Sequence, residues 1–306
     1  MREDGGEERA PSGCEPGTIY VVATPIGNLD DITLRALRIL REVDLVAAED
    51  TRHTRGLLEH HGIRARLISY HDHVEAERAG ELVQRALAGE SIALVSDAGT
   101  PLIADPGYRL VRAAAEAGVR VVPVPGPSAP LALLSCAGLP TDRFTFVGFL
   151  PPKRAARRAA LTELAERSET LLFLESPHRL AAALADMAEV LGAREAVVGR
   201  ELTKRFEEIR RGSLESLARA VGEVDAAARV RGEIVIAVAG RTPVSDDEQV
   251  VARAADLDDI LRAGLATGEP LSEVARQAAL QLAIPRRVAY QRALDLKADP
   301  ARCSKH

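Results

Sequence analysis

The feature that most constrains the fold is a regular alternation of short apolar strands and amphipathic helices that begins at Thr18. Five segments have the composition of strands: TIYVVA, DLVAAED, RLISY, SIALVSD and VRVVPV. Between the third and the fourth, apolar residues recur with helical spacing: Ala79, Leu82, Val83, Ala86 and Leu87. Strands that are separated by helices predict a mainly parallel sheet with both faces covered. The first part of the chain is therefore predicted to be an α/β domain that ends near Pro125.

A second group of strands follows a turn-rich linker, PGPSAP, and an apolar helix. Its predicted members are FTFVGF, TLLFL, AVVGR, FEEIRR and EIVIAVAG. Residues 245–259 then hold six acidic side chains against Arg253 alone, and residues 257–296 have the pattern of helices. We expect a disordered leader, an α/β domain, a second α/β domain, and an acidic linker with a helical domain, at residues 1–17, 18–125, 126–242 and 243–306.

Composition argues against several classes of protein. The leader is acidic and polar and has no apolar segment of signal-peptide type, which predicts a cytoplasmic protein. The longest uncharged stretch, residues 121–141, contains five prolines, so it is not predicted to span a membrane. The three cysteines form no CxxC pair, and His71 and His73 have no third ligand at a typical spacing. No metal site is therefore predicted.

Loops rich in glycine, proline and polar residues follow four of the predicted strands. VATPIGNLDDIT follows the first strand, AEDTRHT the second, VSDAGTPLIADPG the fourth and VPGPSA the fifth. Glycine lets a backbone approach a ligand closely, and proline fixes a loop before the ligand arrives. Because open α/β sheets bind ligands at the carboxyl ends of their strands, these loops predict a ligand pocket. Neither a G-x-G turn nor GxxxxGK[ST] occurs, which argues against Rossmann-type and P-loop nucleotide sites.

Nine motifs occur in the order typical of one family: VATPIGNLDDIT, AEDTRHT, YHDH, SDAGTPLIADPGYRLV, VPGPSA, GFLPPK, ESPHR, RELTK and RGEIVIAVAG. On these residues the chain resembles the ribosomal RNA small subunit methyltransferase I family of the tetrapyrrole methylase-like superfamily. The resemblance implies two α/β domains of tetrapyrrole methylase type with a donor-binding cleft between them, plus a small C-terminal helical domain. Two positions depart from the family pattern, Val74, where asparagine is expected, and Leu174, where an aromatic residue is expected.

The resemblance implies an S-adenosyl-L-methionine-dependent enzyme that methylates the 2′-hydroxyl of a cytidine in the decoding region of 16S rRNA. A homodimer that acts on the small ribosomal subunit is part of the same expectation. The implied donor-binding residues are Pro25, Ile26, Asp97, Ala98, Gly99, Thr100, Ser128, Ala129, Leu174, Leu202, Gly232 and Glu233. Many of them are apolar, which suits an adenine ring and a thioether better than a triphosphate.

The reaction requires alignment of the nucleophile, the methyl group and the sulfur atom, and removal of the hydroxyl proton. The candidate catalytic residues are Lys204 in RELTK, Glu175 in ESPHR, and Asp50 with Arg52 in AEDTRHT. Either desolvation lowers the pKa of Lys204, or its charge stabilises the developing alkoxide. A structural ion pair or a helix cap is the alternative for each of the four.

Basic side chains and two histidines are the candidates for RNA contacts: Lys153, Arg154, Arg157, Arg158, His71 and His73. Residues 151–167 hold five basic and two acidic side chains, a net charge of +3, which suits contact with phosphates. A solvated helix face is the alternative. Two other functions stay open: a sister methyltransferase that acts on a tetrapyrrole or a protein side chain, and a non-catalytic RNA-binding or ribosome-assembly protein.

Overall fold

The computed structural model describes residues 13–71, 74–225, 232–241, 246–282, 284 and 286–298. The chain divides into two compact units, Met1–Arg241 and Thr242–His306. The first unit contains two five-stranded sheets, and the described part of the second contains three helices. Within the described ranges, no helix is both long enough and apolar enough to cross a membrane.

The first sheet is built from β1 Thr18–Val22, β2 Leu45–Ala48, β3 Leu67–Ser69, β4 Ile92–Val95 and β5 Arg120–Val124. The order is β3-β2-β4-β1-β5, and every pairing is parallel. Its helices are α1 Leu34–Glu42, α2 Thr51–His60, α3 Glu75–Leu87 and α4 Tyr108–Glu116. Tyr20 and Val46 pack against α1 and α2, whereas Ile19 and Leu45 pack against α3 and α4. The prediction of a parallel sheet covered on both faces is confirmed.

Polar side chains cap two of the four helices of the first sheet, α1 and α2. The Thr33 hydroxyl accepts a hydrogen bond from the Ala36 N–H at 3.1 Å and caps α1, and Asp50 caps α2. Helix α3 follows Val74, which makes no side-chain cap bond. Asparagine, the residue that the family pattern has here, can accept such a bond. Valine at this position therefore leaves α3 without a capping acceptor.

The described residues begin before the predicted boundary at residue 18. The Cys14 N–H donates to Glu42 Oε2 at 3.0 Å, and the Glu15 N–H donates to the Tyr20 hydroxyl at 2.8 Å. These contacts attach the end of the predicted leader to α1 and β1. Residues 1–12, the rest of the predicted leader, lie outside the described residues.

The second sheet is mixed and consists of β6 Phe144–Phe149, β7 Thr170–Glu175, β8 Glu195–Arg200, β9 Glu208–Ser213 and β10 Ile234–Val238. The order is β6-β7-β10-β8-β9, and only β6 and β7 pair in parallel. The helices are α5 Ala129–Ala137, α6 Arg154–Glu163, α7 Leu180–Leu191 and α8 Leu214–Asp225. Phe173 faces α6, α7 and α8, whereas Leu172 faces α5. Ile26, from the loop after β1, joins the α5 core, so the two halves of the unit share an apolar contact.

Strand β9 begins at Glu208, two residues after the start of the predicted strand FEEIRR. The loop before it is tightly folded, because Glu201 and Thr203 have left-handed φ angles of 51° and 66°. The Thr203 hydroxyl accepts a hydrogen bond from the Asn28 N–H at 3.1 Å, which attaches this loop to the first half. Phe206 therefore stays outside the strand ladder, and it is 68% exposed.

The second unit is a bundle of α9 Asp246–Ala266, α10 Leu271–Gln281 and α11 Arg286–Ala298. Small and aliphatic residues form its core, among them Leu261, Ala275, Ala278, Ala289 and Ala293. Asp258 accepts two hydrogen bonds of 2.7 Å from the Arg292 guanidinium, which ties α9 to α11. Because α9 begins at Asp246, the acidic segment that was predicted as a linker is helical.

Candidate functional site

An open cavity of about 330 Å³ lies between the two sheets of the first unit. One wall comes from the loops after β1, β2, β4 and β5, and the other comes from the ends of β6 and β7 and the start of β10. The strand-end loops that the sequence predicted to form a ligand pocket therefore do enclose one. The volume falls within the range of small-molecule sites, roughly 300–1,000 Å³.

Hydrogen bonds hold the loops of the first wall to one another. Thr24 and Gly99 exchange two backbone hydrogen bonds, of 2.8 and 3.0 Å, between the loops after β1 and β4. The Thr100 hydroxyl donates to the Pro127 carbonyl at 3.1 Å, which adds the loop after β5. Gly99 has a φ of +81°, a conformation that favours glycine. Contacts within the protein thus join the three loops of this wall.

The second wall is closed by a pair of reciprocal contacts. The Glu201 N–H donates to the Glu233 carbonyl at 3.0 Å, and the Glu233 N–H donates to Glu201 Oε1 at 3.2 Å. Gly232 has a φ of +96°, and a Cβ there would overlap the Glu201 carboxylate. Leu174 and Val235, which pair across β7 and β10, supply apolar surface. This turn therefore requires glycine beside the cavity.

The charged residues that border the cavity are all acidic: Glu49, Asp97, Asp105, Glu175 and Glu233. Within the described chain, no lysine, arginine or histidine borders it. Burial raises the pKa of Asp105 from 3.8 to about 6, and the charges of Glu49, Asp97 and Glu233 add to the rise against a hydrogen bond with Ser96. A cavity bordered in this way attracts a cationic ligand and repels a phosphate.

Sequence reasoning missed Asp105 and Glu49 as cavity residues, although both lie inside motifs that carry the family resemblance. In both cases the sequence shows an acidic residue in a polar loop after a strand. It does not show the path of the loop after β4, because Leu102 and Ala104 adopt left-handed φ angles of 73° and 68°. With Leu102 and Ala104 in these conformations, the loop places Asp105 at the border of the cavity.

Ten of the twelve residues predicted to bind the donor line the cavity: Ile26, Asp97, Ala98, Gly99, Thr100, Ser128, Ala129, Leu174, Gly232 and Glu233. The other two, Pro25 and Leu202, are buried beside it and do not form its wall. Leu202 packs instead in the apolar core that contains Ile26. The structure brings the predicted set together, and the binding role of each residue stays a prediction.

Lys204 lies outside the cavity wall, but its ammonium group reaches a residue of that wall. Its Nζ atom is 2.9 Å from Glu201 Oε1 and 3.7 Å from Glu233 Oε2. Burial lowers the pKa of Lys204, but the hydrogen bond with Glu201 and the charge of Glu233 outweigh it and raise that pKa above its usual range. The alternative in which desolvation lowers this pKa is therefore wrong. The aliphatic part of the Lys204 side chain passes over Gly27, and a Cβ at Gly27 would overlap that side chain.

Glu175 borders the cavity, and one of its two carboxylate oxygens is engaged by the turn that follows β7. Alternation along β7 places it on the same face as Leu171 and Phe173, which pack under α6, α7 and α8. Its Oε1 atom accepts a hydrogen bond from the Ser176 N–H at 2.8 Å and lies 3.2 Å from Arg179 Nε. These contacts order the turn between β7 and α7, which is the structural alternative that the sequence left open.

Asp50 and Arg52 lie together at the N-terminus of α2. The Asp50 carboxylate accepts hydrogen bonds from the Arg52 N–H at 2.8 Å and from its guanidinium at 2.7 Å. These hydrogen bonds hold the pKa of Asp50 well below its usual range. The Asp50 N–H also donates to Asp97 Oδ1 at 2.9 Å. The pair caps a helix and positions a cavity residue, and neither side chain borders the cavity.

The basic residues predicted to contact RNA differ in exposure. Arg157 is 5% exposed, and its guanidinium lies 2.6 Å from Asp186, so it is inaccessible to a phosphate and is a structural residue. The side chains of Arg154 and Arg158 are 69% and 33% exposed, although each also forms ion pairs with α7. Lys153 is exposed at the start of α6. The predicted contact of Arg157 is therefore contradicted, and the other three stay predictions.

The two histidines lie between β3 and α3. The His71 carbonyl accepts a hydrogen bond from the Val74 N–H at 2.9 Å, and its side chain is half-buried. His73 lies outside the described residues. Among the residues that are described, no group of three or more metal-ligating side chains is found.

Known proteins with related sequences match most of this chain. The family model for Tetrapyrrole (Corrin/Porphyrin) Methylases matches residues 18–218. Ribosomal RNA small subunit methyltransferase I from Pseudomonas aeruginosa is 51% identical, over 91% of this chain and 97% of that protein. The chain belongs to the ribosomal RNA small subunit methyltransferase I family. The member from Mesorhizobium japonicum is 48% identical to it over 95% of this chain and 96% of that protein.

The fold of this methyltransferase is also that of solved structures. Uroporphyrin-III-C-methyltransferase from Thermus thermophilus superposes with a TM-score of 0.53 and 22% identity, over 73% of this chain and 94% of that chain. The tetrapyrrole methylase fold that the sequence predicted is therefore confirmed. The family is one of S-adenosyl-L-methionine-dependent methyltransferases, and S-adenosyl-L-methionine is its methyl donor.

The residues of the cavity fit this donor. Its sulfonium and amino groups are cationic, and every charged residue at the described border of the cavity is acidic. Ile26, Ala129, Leu174 and Val235 add apolar surface for an adenine ring and a thioether. A triphosphate, by contrast, would meet negative charge there.

Proposed function

We propose that the chain transfers a methyl group from S-adenosyl-L-methionine to the 2′-hydroxyl of a cytidine in the decoding region of 16S rRNA. The observation that carries this proposal is the 51% identity to a ribosomal RNA small subunit methyltransferase I over 91% of the chain. The acidic, partly apolar cavity between the two sheets supports it as the place of the donor. A homodimer in the cytoplasm that acts on the small ribosomal subunit belongs to the same proposal.

The proposed role of the cavity is to align the donor with the hydroxyl. S-adenosyl-L-methionine supplies an activated methyl group, so the protein contributes mainly by holding the reacting groups in line. The loops at Thr24, Gly99 and Pro127 are already joined by hydrogen bonds, which lowers the ordering cost of binding. Residues Asp97–Thr100 and Gly232–Glu233 would hold the donor from opposite walls.

Lys204 is proposed to stabilise the oxygen as it loses its proton. Its raised pKa keeps the ammonium group charged, so it acts through its charge and not as the base. Its position 3.7 Å from Glu233 puts this charge at the edge of the cavity. Asp50, Arg52 and Glu175 are left out of this step: Asp50 and Arg52 bind each other, and Glu175 Oε1 binds the Ser176 N–H and lies beside Arg179.

The RNA backbone is proposed to lie outside the cavity, because the acidic border repels phosphates. Lys153, Arg154 and Arg158 at α6 are the proposed phosphate contacts, and Arg157 is excluded by its burial. Arg205, whose guanidinium lies 5.5 Å from the centre of the exposed Phe206 ring, is a further candidate.

The test is methylation of purified small subunits that lack this modification, with labelled donor and mapping of the product at nucleotide resolution. We expect one cytidine in the decoding region to gain a 2′-O-methyl group. Methylation of a base, of a protein or of an added tetrapyrrole in place of that ribose would contradict the proposal. Donor binding without any methyl transfer would favour a non-catalytic RNA-binding protein.

The phosphate contacts are tested by RNA binding across a salt series. Replacement of Lys153, Arg154 and Arg158 by alanine should reduce the salt slope by about 0.7–0.9 for each phosphate that the variant no longer neutralises. Donor affinity should not change. Arg112→Ala, which removes an exposed arginine on α4, is the control for the removal of a positive charge. An unchanged slope in the triple variant would move the RNA-binding face to another surface.

A further inference from the structure

Asp105 lies at the donor cavity among other carboxylates, in the loop that leads to α4. We infer that Asp105 and its acidic neighbours select S-adenosyl-L-methionine over the product S-adenosyl-L-homocysteine by the charge on sulfur. This inference rests on the proposed donor site. It makes Asp105 a specificity-determining residue that acts on ligand binding and release.

The groups that act electrostatically on Asp105 come from three parts of the chain. Glu49 follows β2, Asp97 and Ser96 follow β4, and Glu233 precedes β10. Three of these four are carboxylates, and the fourth is a hydroxyl. Lys204 approaches Glu233 from outside the cavity wall and is bound to Glu201 as well. The described border of the cavity itself contains no cationic side chain.

The carboxylates that border one cavity repel one another: burial first, and then the charges of Glu49, Asp97 and Glu233, raise the pKa of Asp105 to about 6. A sulfonium placed among them relieves the repulsion, whereas a neutral thioether leaves it in place. The affinity for the donor therefore contains an electrostatic contribution that the affinity for the product lacks. The amino and carboxylate groups of the two ligands are the same, so they do not contribute to this difference.

Methyl transfer itself removes the charge that is recognised. The bond between sulfur and the methyl carbon breaks, its electron pair stays on sulfur, and a bond forms between that carbon and the ribose oxygen. The hydroxyl proton passes to solvent. Sulfur thus changes from a cation to a neutral thioether, and the carboxylates around Asp105 regain their repulsion. This favours departure of the product and entry of a new donor.

The experiment measures both dissociation constants, by calorimetry on the full chain without RNA. We compare the parent, Asp105→Asn and the control Asp142→Asn, which removes an exposed carboxylate between α5 and β6. In Asp105→Asn the ratio of the product constant to the donor constant should fall about tenfold, the effect of one opposite charge at close range. In Asp142→Asn the ratio should match that of the parent.

A pH series on the parent gives a second readout that does not depend on any variant. The ratio should rise between pH 5 and pH 7.5 as Asp105 loses its proton, and donor binding near pH 6 should release protons to the buffer. In Asp105→Asn the ratio should be flat over this range. A merely structural role of Asp105 would change both affinities equally and leave the ratio constant.

The outcomes separate the two proposals. If the parent binds neither ligand, the proposed donor site is wrong. If the parent binds both and the ratio is the same in Asp105→Asn, the selection by charge is wrong while the donor site stands. If Asp105→Asn is unfolded, the pH series on the parent decides alone, and a ratio that does not change with pH overturns the inference.

Discussion

Replacement of Asp105 by asparagine should make the ligand-free protein more stable at neutral pH, although the residue belongs to the proposed donor site. In the unfolded chain an aspartate ionises with a pKa near 3.8, whereas in the folded protein that of Asp105 is about 6. The folded protein therefore binds this proton more tightly. Stability that is present at low pH is lost as the pH rises through about 6. Asparagine is neutral at every pH and avoids this loss.

The size of the effect follows from the pKa of this one group. A rise of about two pH units corresponds to about 3 kcal/mol of destabilisation once the carboxylate is ionised. Asp105 is only half-buried, so solvent screening reduces the expected gain of the asparagine variant to about 1–2 kcal/mol at pH 8. Below about pH 3 the difference should disappear, since the aspartate is then largely protonated in both states.

The assay is urea unfolding followed by circular dichroism at five pH values between 4 and 8. The difference in the free energy of unfolding between Asp105→Asn and the parent should grow between about pH 4 and pH 6, with its midpoint near pH 5. Asp142→Asn, at an exposed site, should show no such growth. A difference that is the same at pH 4 and pH 8, or a variant that is less stable at pH 8, would refute the electrostatic reasoning.

Four further predictions concern other parts of the first unit. Lys204→Ala should lower turnover at saturating RNA in single-turnover methylation and leave the salt slope of RNA binding unchanged. Asp186→Asn should cost about 3 kcal/mol in urea unfolding, because it leaves the buried Arg157 charge without its partner. Gly240→Ala should cost about 1–3 kcal/mol, because a Cβ there would overlap backbone atoms. Gly222→Ala, in open space on α8, should instead stabilise by about 0.5–1 kcal/mol.

Each of these predictions has an outcome that contradicts it. Full turnover with weakened RNA binding in Lys204→Ala would place that residue among the phosphate contacts. A stable Asp186→Asn variant would show that Arg157 finds another partner. Equal stabilities of Gly240→Ala and Gly222→Ala would mean that the backbone near Gly240 moves at little cost.

The layout of the fold could be predicted because it depends on local patterns. The apolar run of β1 and the helical spacing in α3 are visible in the sequence. The sequence predicts the start of β9 two residues too early, because apolar Phe206 and the residues after it have the pattern of a strand. The left-handed conformations at Glu201 and Thr203, which keep Phe206 in a loop, leave no such pattern.

The pairings of charged side chains could not be predicted, because their partners are distant in sequence. Arg157 looks like part of a basic, solvated helix face until α7 brings Asp186 within 2.6 Å of it. Lys204 looks like a candidate for a lowered pKa until Glu201 and Glu233 are seen beside it. In both cases the neighbouring carboxylates, and not the residue type, decide what the side chain can do.

The cavity shows why these distant neighbours matter for function. Glu49, Asp97, Asp105 and Glu233 come from separate motifs, and only the fold gathers them at one border. Once gathered, they attract the cationic donor and exclude phosphates, so the donor and the RNA backbone need separate places on one molecule. High salt should therefore weaken RNA binding far more than donor binding, because surface phosphate contacts are screened more strongly than charges in a half-buried cavity.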